Sequence, residues 1–255
     1  MTASILVSNS APTVESVTIS PPDAVVGTDL SCSYDGYDDL DFDADASTYA
    51  WTINGVPAGT GPTLSGGFVG LDAIECIVTP YDGEDEGTPV VGTFDVINSP
   101  PSVSTVTIDP AAPQTGDTVS CAWAGYVDED GHADASYVEW TINGDLAVTG
   151  PTITDGFTSG DELACRVVPF DGADAGEPVV HAVSIQNSAP SISTVTVYPL
   201  VATAETMLTC SWAGYLDLEG EEDVSEVQWF VNGDPVGTGP TLLSGYVHNL
   251  SLIHI

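Results

Sequence analysis

Apolar and polar residues alternate along most of this chain in short runs broken by turn-forming residues, and the 3.6-residue period of an amphipathic helix is missing throughout. Ser104-Thr-Val-Thr-Ile108 alternates and stops before Pro110, and Asp117-Thr-Val-Ser-Cys-Ala-Trp123 alternates again after Gly116. Both runs predict strands. Tyr137-Val-Glu-Trp-Thr-Ile142 leads into Asn143-Gly144, the dipeptide that suits a type I′ hairpin turn because both central residues take positive φ. The same Asn-Gly stands at 54–55 and 232–233, so a hairpin is expected after each of Trp51, Trp140 and Trp229. Gly150-Pro-Thr-Ile153, a run from Glu162 to Pro169 and a last run from Pro178 to Gln186 complete the set. About seven short strands without a helical period predict an all-β fold, an antiparallel sandwich.

The pattern is periodic on a longer scale. Cys32, Trp51 and Cys76 return 89 residues later as Cys121, Trp140 and Cys165, and Cys210 and Trp229 open a third copy. Asn9-Ser-Ala-Pro, Asn98-Ser-Pro-Pro and Asn187-Ser-Ala-Pro keep the same register, which marks repeats over 9–97 and 98–186 and a partial third over 187–249. Residues 1–8 match the last strand of each repeat, as in Thr93-Phe-Asp-Val-Ile97, and are expected to be the last strand of a truncated upstream copy. At the far end His254 stands where the period expects a cysteine, and residues 250–255 leave the pattern as a non-native tail would. The Pro-containing linkers restrict the backbone and favour extended spacing between repeats.

Composition sharpens this picture. Thirty-eight acidic residues face a single basic one, Arg166, for a net charge of −37, which disfavours nucleic acid and anionic membranes and favours cations as partners. Apolar content of 42% separates the chain from acidic disordered polypeptides. The cysteines have neither CxxC nor Cys/His zinc spacing, and one disulfide per full repeat, Cys32 with Cys76 and Cys121 with Cys165, is the better reading. Such bonds need an oxidising compartment, so the chain is expected outside the cell or on its surface. No apolar run of about 20 residues is present to insert into a membrane.

Side-chain alternation places Tyr34, Trp123 and Trp212, two residues after an inward cysteine, on the inner face, with Trp51, Trp140 and Trp229 in the core against the disulfide. This Cys…Trp…Cys arrangement resembles the immunoglobulin fold, although Ile74 and Leu163 stand where antibody-type domains carry a corner tyrosine. With the Asn-Ser-Ala-Pro linkers, the Gly-Tyr loops at 36–37, 125–126 and 214–215 and the Trp-x-x-Asn-Gly hairpins, the chain resembles tandem Ig-like (PKD-like) repeats of large bacterial surface or secreted proteins. The resemblance implies a secreted or surface-anchored series of β-sandwiches whose partners are the neighbouring repeats.

The loop after the first cysteine strand carries Asp39, Asp41, Asp43 and Asp45 in the first repeat. Asp128, Asp130 and Asp134 match in the second, and Asp217, Glu219, Glu221 and Asp223 in the third. Carboxylates this dense need solvent screening or a hard cation, and Ca²⁺ is the natural candidate because it takes six to eight oxygens. An EF-hand is excluded, since Ala44 and Ala133 occupy the position that needs glycine. Asp82 and Asp85, and Asp171 and Asp174, follow the second cysteine strand, and sandwich topology brings both loops to one pole beside Asn9, Asn98 and Asn187. One calcium site per junction, stiffening the series, is expected; a solvated acidic loop adapted to high salt is the competing reading. His132, standing where the first repeat has Asp43, is a poor calcium ligand.

Paired carboxylates serve glycosidases, but each cluster here recurs in every repeat, whereas a catalytic site occurs once. His132 and His181 lack a Ser or Cys nucleophile context. Tyr37, Tyr126 and Tyr215 read as core or pole-covering residues before they read as a sugar-stacking platform. The expected function is a non-enzymatic structural or adhesive segment; the alternative is a carbohydrate- or protein-binding module appended to a secreted enzyme, with a surface glycan or protein as ligand.

Overall fold

A computed structural model describes residues 4–243. In the first repeat the strands are β1 (Ser16–Ser20), β2 (Asp29–Asp35), β3 (Thr48–Ile53), β4 (Val56–Thr60), β5 (Thr63–Ser65), β6 (Ala73–Thr79) and β7 (Val90–Asp95). The second repeats the series as β8 (Thr105–Asp109), β9 (Val119–Ala124), β10 (Tyr137–Ile142), β11 (Asp145–Thr149), β12 (Thr152–Ile153), β13 (Glu162–Val168) and β14 (Val179–Ser184). The third has β15 (Ser191–Tyr198), β16 (Leu208–Leu216), β17 (Gln228–Val231), β18 (Asp234–Thr238) and β19 (Thr241–Leu242). Among the described residues no helix is long and apolar enough to cross a membrane.

Each full repeat pairs a three-stranded sheet with a four-stranded one, β1-β2-β5 with β4-β3-β6-β7 and β12-β9-β8 with β11-β10-β13-β14; strands pair antiparallel throughout both sheets of the first repeat and in β9–β12 and β10–β11 of the second. This is the strand order of an immunoglobulin-like sandwich, and the expected all-β class is the observed one. By contacts the chain divides into two compact units whose boundary runs through the second repeat. One comprises Met1–Val106, Trp123–Val138 and Val167–Val179; the other comprises Thr107–Ala122, Glu139–Arg166 and Val180–Ile255.

Alternation sets the inner face. Along β2, Leu30 and Cys32 are buried while Asp29, Ser31, Ser33 and Asp35 are exposed. The Cys32–Cys76 disulfide joins β2 of one sheet to β6 of the other, and Cys121–Cys165 does the same for β9 and β13. Trp51, Trp140 and Trp229 are 1%, 0% and 4% exposed, as a core role requires. A buried indole N–H needs an acceptor, and each finds the carbonyl just after its hairpin: Gly61 at 2.9 Å, Gly150 at 3.0 Å and Gly239 at 2.9 Å. The Asn-Gly hairpins form as expected, with φ of 52° and 76° at Asn54 and Gly55 and of 52° and 90° at Asn143 and Gly144.

Two points differ from the sequence reading. Tyr34, Trp123 and Trp212 are half-buried rather than core residues, because each sends its polar tip out of the sandwich to a loop carboxylate. Ser4–Ser8 form no strand, and Ile5, Leu6 and Val7 are exposed, since no described strand offers them an edge to pair with. Cys210 is buried as a free thiol among the described residues, and the expected tail over 250–255, His254 included, lies outside them.

Candidate metal centres in the acidic loops

The loop between β2 and β3 starts from one aspartate that organises it. Asp39 Oδ1 accepts the backbone N–H groups of Asp41 at 2.9 Å and Asp43 at 3.0 Å, an Asx-type arrangement that curls the chain around the carboxylate. Asp128 Oδ1 accepts the N–H of His132 at 2.8 Å, and Asp217 Oδ1 accepts those of Glu219 at 3.0 Å and Glu221 at 2.9 Å. In all three repeats the second oxygen of this aspartate, Oδ2, is buried without a partner. A buried carboxylate oxygen left unpaired is costly, and native structures retain few.

The loop between β6 and β7 brings a second carboxylate. Asp82 Oδ1 accepts the N–H groups of Glu84 and Asp85 at 2.7 Å, and Asp171 Oδ1 accepts those of Ala173 and Asp174 at 2.7 Å. The linker asparagine bridges the pair in this loop. Asn9 Nδ2 donates to Asp82 Oδ2 at 2.8 Å and Asp85 Oδ2 at 3.1 Å, and Asn98 Nδ2 donates to Asp171 Oδ2 at 2.7 Å and Asp174 Oδ2 at 3.0 Å. The Asn9 amide, with the Asp85 and Glu84 N–H groups, holds the Asp82 carboxyl below its ordinary range. At Asp171, burial acts to raise the pKa, but the Asn98 amide and the Asp174 and Ala173 N–H groups outweigh it and the net direction is down. Asn187 instead donates to its neighbour Ser188's carbonyl at 3.0 Å.

Six of the remaining predicted ligands separate into two other roles. Asp41, Asp130 and Glu219 grip the linker. Asp41 accepts the Ser10 N–H at 2.7 Å; Asp130 accepts those of Ser99 at 2.7 Å and Gly70 at 2.5 Å. Glu219 accepts the Ser188 N–H at 3.0 Å and its hydroxyl at 2.5 Å. The Ser188 and Thr115 hydroxyls lower the Glu219 pKa to about 2. Asp45, Asp134 and Asp223 instead cap the start of the next strand through the N–H of Ser47, Ser136 and Ser225, each at 2.9 Å. They also receive the half-buried aromatics: Tyr34 Oη at 2.8 Å, Trp123 Nε1 at 3.1 Å and Trp212 Nε1 at 2.8 Å. Burial and the Asp45 carboxylate raise the Tyr34 pKa to about 12.

Tyr37 and Tyr126 stand within these loops and Tyr215 near the end of β16, where burial and the surrounding carboxylates raise their pKa values. The Tyr37 hydroxyl is buried without a partner, while those of Tyr126 and Tyr215 donate to the Ala133 and Glu222 carbonyls at 3.5 and 3.3 Å. These rings are half-buried rather than an open stacking platform.

Among the described residues, one set of three metal-ligating side chains converges with its ligating atoms within 4.8 Å of one another: Asp128, His132 and Asp171. Two of these were singled out by the acidic spacing. His132 is by residue type a poor calcium ligand, and its place beside both carboxylates emerges only where the two loops meet. The grip on Ser10, Ser99 and Ser188 was also missed, although the serine after each linker asparagine is a visible signal.

No family model and no curated protein matches this chain. Solved structures with partial likeness include a two-domain fibronectin type-III segment of chicken tenascin, at 12% identity, 67% coverage of this chain, 98% of that one and a TM-score of 0.39. The FN1–FN3 domains of chicken CNTN1 align at 10% identity over 94% of this chain and 89% of that one, TM-score 0.31. Three N-terminal domains of the bacteriophage RB49 highly immunogenic outer capsid protein align at 17% over 91% and 82%, TM-score 0.28. Likeness at this level carries no functional inference, and the immunoglobulin-like assignment rests on the strand order and inter-sheet disulfides of the chain itself.

Proposed function

We propose that this chain is a non-enzymatic structural or adhesive segment of an extracellular protein, of the kind built from tandem Ig-like repeats on bacterial surfaces, with cations, Ca²⁺ foremost, held in the acidic loops beside each linker. The carrying observation is the unpaired, buried Oδ2 of Asp39, Asp128 and Asp217, one per repeat at the same position. Each is an oxygen desolvated as if to meet a positive charge that the chain, with one basic residue, does not supply. The donor chemistry fits a hard cation. Asp39, Asp43, Asp45 and Asp82 set their carboxylates around Tyr37, and the linker asparagine adjoins Asp82 and Asp85 with an amide. Recurrence in each repeat favours a structural role over catalysis, and two inter-sheet disulfides favour an oxidising compartment.

Scanning calorimetry of the full oxidised chain, stripped with chelator and then supplied with calcium, tests the reading. Saturating ion at about a hundred times Kd adds about 2.7 kcal/mol of stability per site, and the melting midpoint rises accordingly. An unchanged midpoint, with no heat of binding by titration, reassigns the carboxylates to salt-adapted solvation.

A further inference from the structure

The second repeat departs from the other two at one ligand position, and the departure changes which ion the loop suits. His132 occupies the place held by Asp43 in the first repeat and Glu221 in the third. Its Nδ1 lies 3.9 Å from Asp128 Oδ1 and 3.9 Å from Asp171 Oδ2. The Asp128 and Asp171 side chains are only 1% and 0% exposed, and the imidazole is 26% exposed. Three atoms around this point are buried without a hydrogen-bond partner: Asp128 Oδ2, His132 Nδ1 and Asn98 Oδ1. Asn98 is itself 8% exposed and donates its Nδ2 to Asp171, which seats its amide at the cluster. These are unused ligand atoms; the Asp128 and Asn98 side chains that carry two of them are held in place by hydrogen bonds, and the imidazole keeps freedom to turn.

We infer that the second repeat binds a borderline transition-metal dication, of the Zn²⁺ class, through Asp128, His132 and Asp171, where the other repeats offer only oxygen ligands. The inference rests on the reading of the acidic loops as cation sites and assigns the ion class of one of them. Ca²⁺ and Mg²⁺ take oxygen ligands, whereas imidazole nitrogen favours Zn²⁺ and its neighbours in the first transition row. Two ligand atoms bound tetrahedrally at about 2.1 Å from zinc stand roughly 3.4 Å apart, so the observed 3.9 Å needs a contraction of about 0.5 Å. Rotation of the partly exposed imidazole supplies such a shift. Asp128 is pinned through Oδ1 and Asp171 through both oxygens, so the two carboxylates arrive already oriented, as ligands with a hydrogen-bonded outer shell do.

The test is calorimetric titration of the full oxidised, chelator-stripped chain with Zn²⁺ and separately with Ca²⁺, comparing the parent with His132→Asp and His132→Ala. One zinc ion is expected per chain, resistant to excess calcium, and Co²⁺ in its place should show visible absorption of a nitrogen-containing site. His132→Asp should weaken zinc by about 100-fold or more and add one calcium equivalent. His132→Ala should lose zinc without gaining calcium, while its melting midpoint in chelator stays that of the parent, separating a ligand from a packing residue. Calcium binding without tight zinc binding, or zinc binding unchanged in both variants, overturns this inference and leaves the cation reading of the loops standing. Absence of binding by either ion overturns both.

Discussion

Of the four carboxylates spaced every second residue along one loop, three end in different chemical situations, and the difference comes from the donor that reaches each one. Asp39 curls its own loop and keeps one oxygen unpaired; Asp41 takes the linker N–H of Ser10; Asp45 takes Tyr34 and the Ser47 N–H. A further carboxylate shows how such a role responds to pH. Asp161 accepts the Asn143 amide at 2.8 Å and the Thr158 N–H at 2.8 Å, and these bonds, the Asn143 one foremost, hold its pKa below the ordinary 3.8. A folded-state pKa below the unfolded one means stability that is present above about pH 3.8 and is lost as pH falls through the folded value. Asp161→Asn should therefore lower stability at neutral pH, by about a few tenths to 1 kcal/mol given solvent screening, and the gap should close as pH drops. Denaturation curves of both proteins across this pH range check it, and a gap that persists at pH 2 assigns the loss to packing instead.

At the level of strands, the Asn-Gly hairpins join neighbours within one sheet, and the pairing of the two sheets rests on alternation and on one covalent link per full repeat. Ile74 and Leu163, two residues before the second cysteines, are 1% and 0% exposed, so the position of the corner tyrosine in antibody-type domains is filled by core packing here. Arg166 on β13, the single basic residue, pairs with Glu139 on β10. The Cys121–Cys165 bond closes a loop of 44 residues, for which chain entropy predicts about 4 kcal/mol of stabilisation. Replacing both cysteines by alanine should cost about that amount in urea titration of the oxidised chain. A loss below about 1 kcal/mol would show that the core around Trp140 holds the sheets without the bond.

On the scale of the molecule, the linkers are gripped by the repeats on either side of them. In the first compact unit, Asp130 accepts both Ser99 of the linker and Gly70 of the preceding repeat, and in the second, Glu219 receives Ser188 of the linker while Thr115 of the preceding repeat lowers its pKa. Gly70 is required there by close approach. A Cβ on it would stand 2.7 Å from the Asp130 carboxylate carbon and 2.8 Å from Asn98 Cα. Gly70→Ala should thus displace the Asp130 loop, cost about 1–3 kcal/mol and speed hydrogen exchange at the Ser99 amide. Unchanged exchange there would mean that the loop yields without releasing the linker.

The amino-acid sequence by itself determined the strands, the hairpin turns, the cysteine pairs and the tryptophan cores, because each is written in local periodicity or in a register repeated along the chain. It also placed the carboxylates on loops at one end of each sandwich. Only the tertiary structure decided which of them cap a strand, which grip a linker and which keep an unused oxygen. The reason is physical: a carboxylate's role is set by the donors that reach it, and those that distinguish Asp130 and Asp171 come from Gly70, 60 residues away, and Asn98, 73 residues away. His132 illustrates the same limit, since its residue type argues against calcium, and only the meeting of two loops shows the carboxylates it joins.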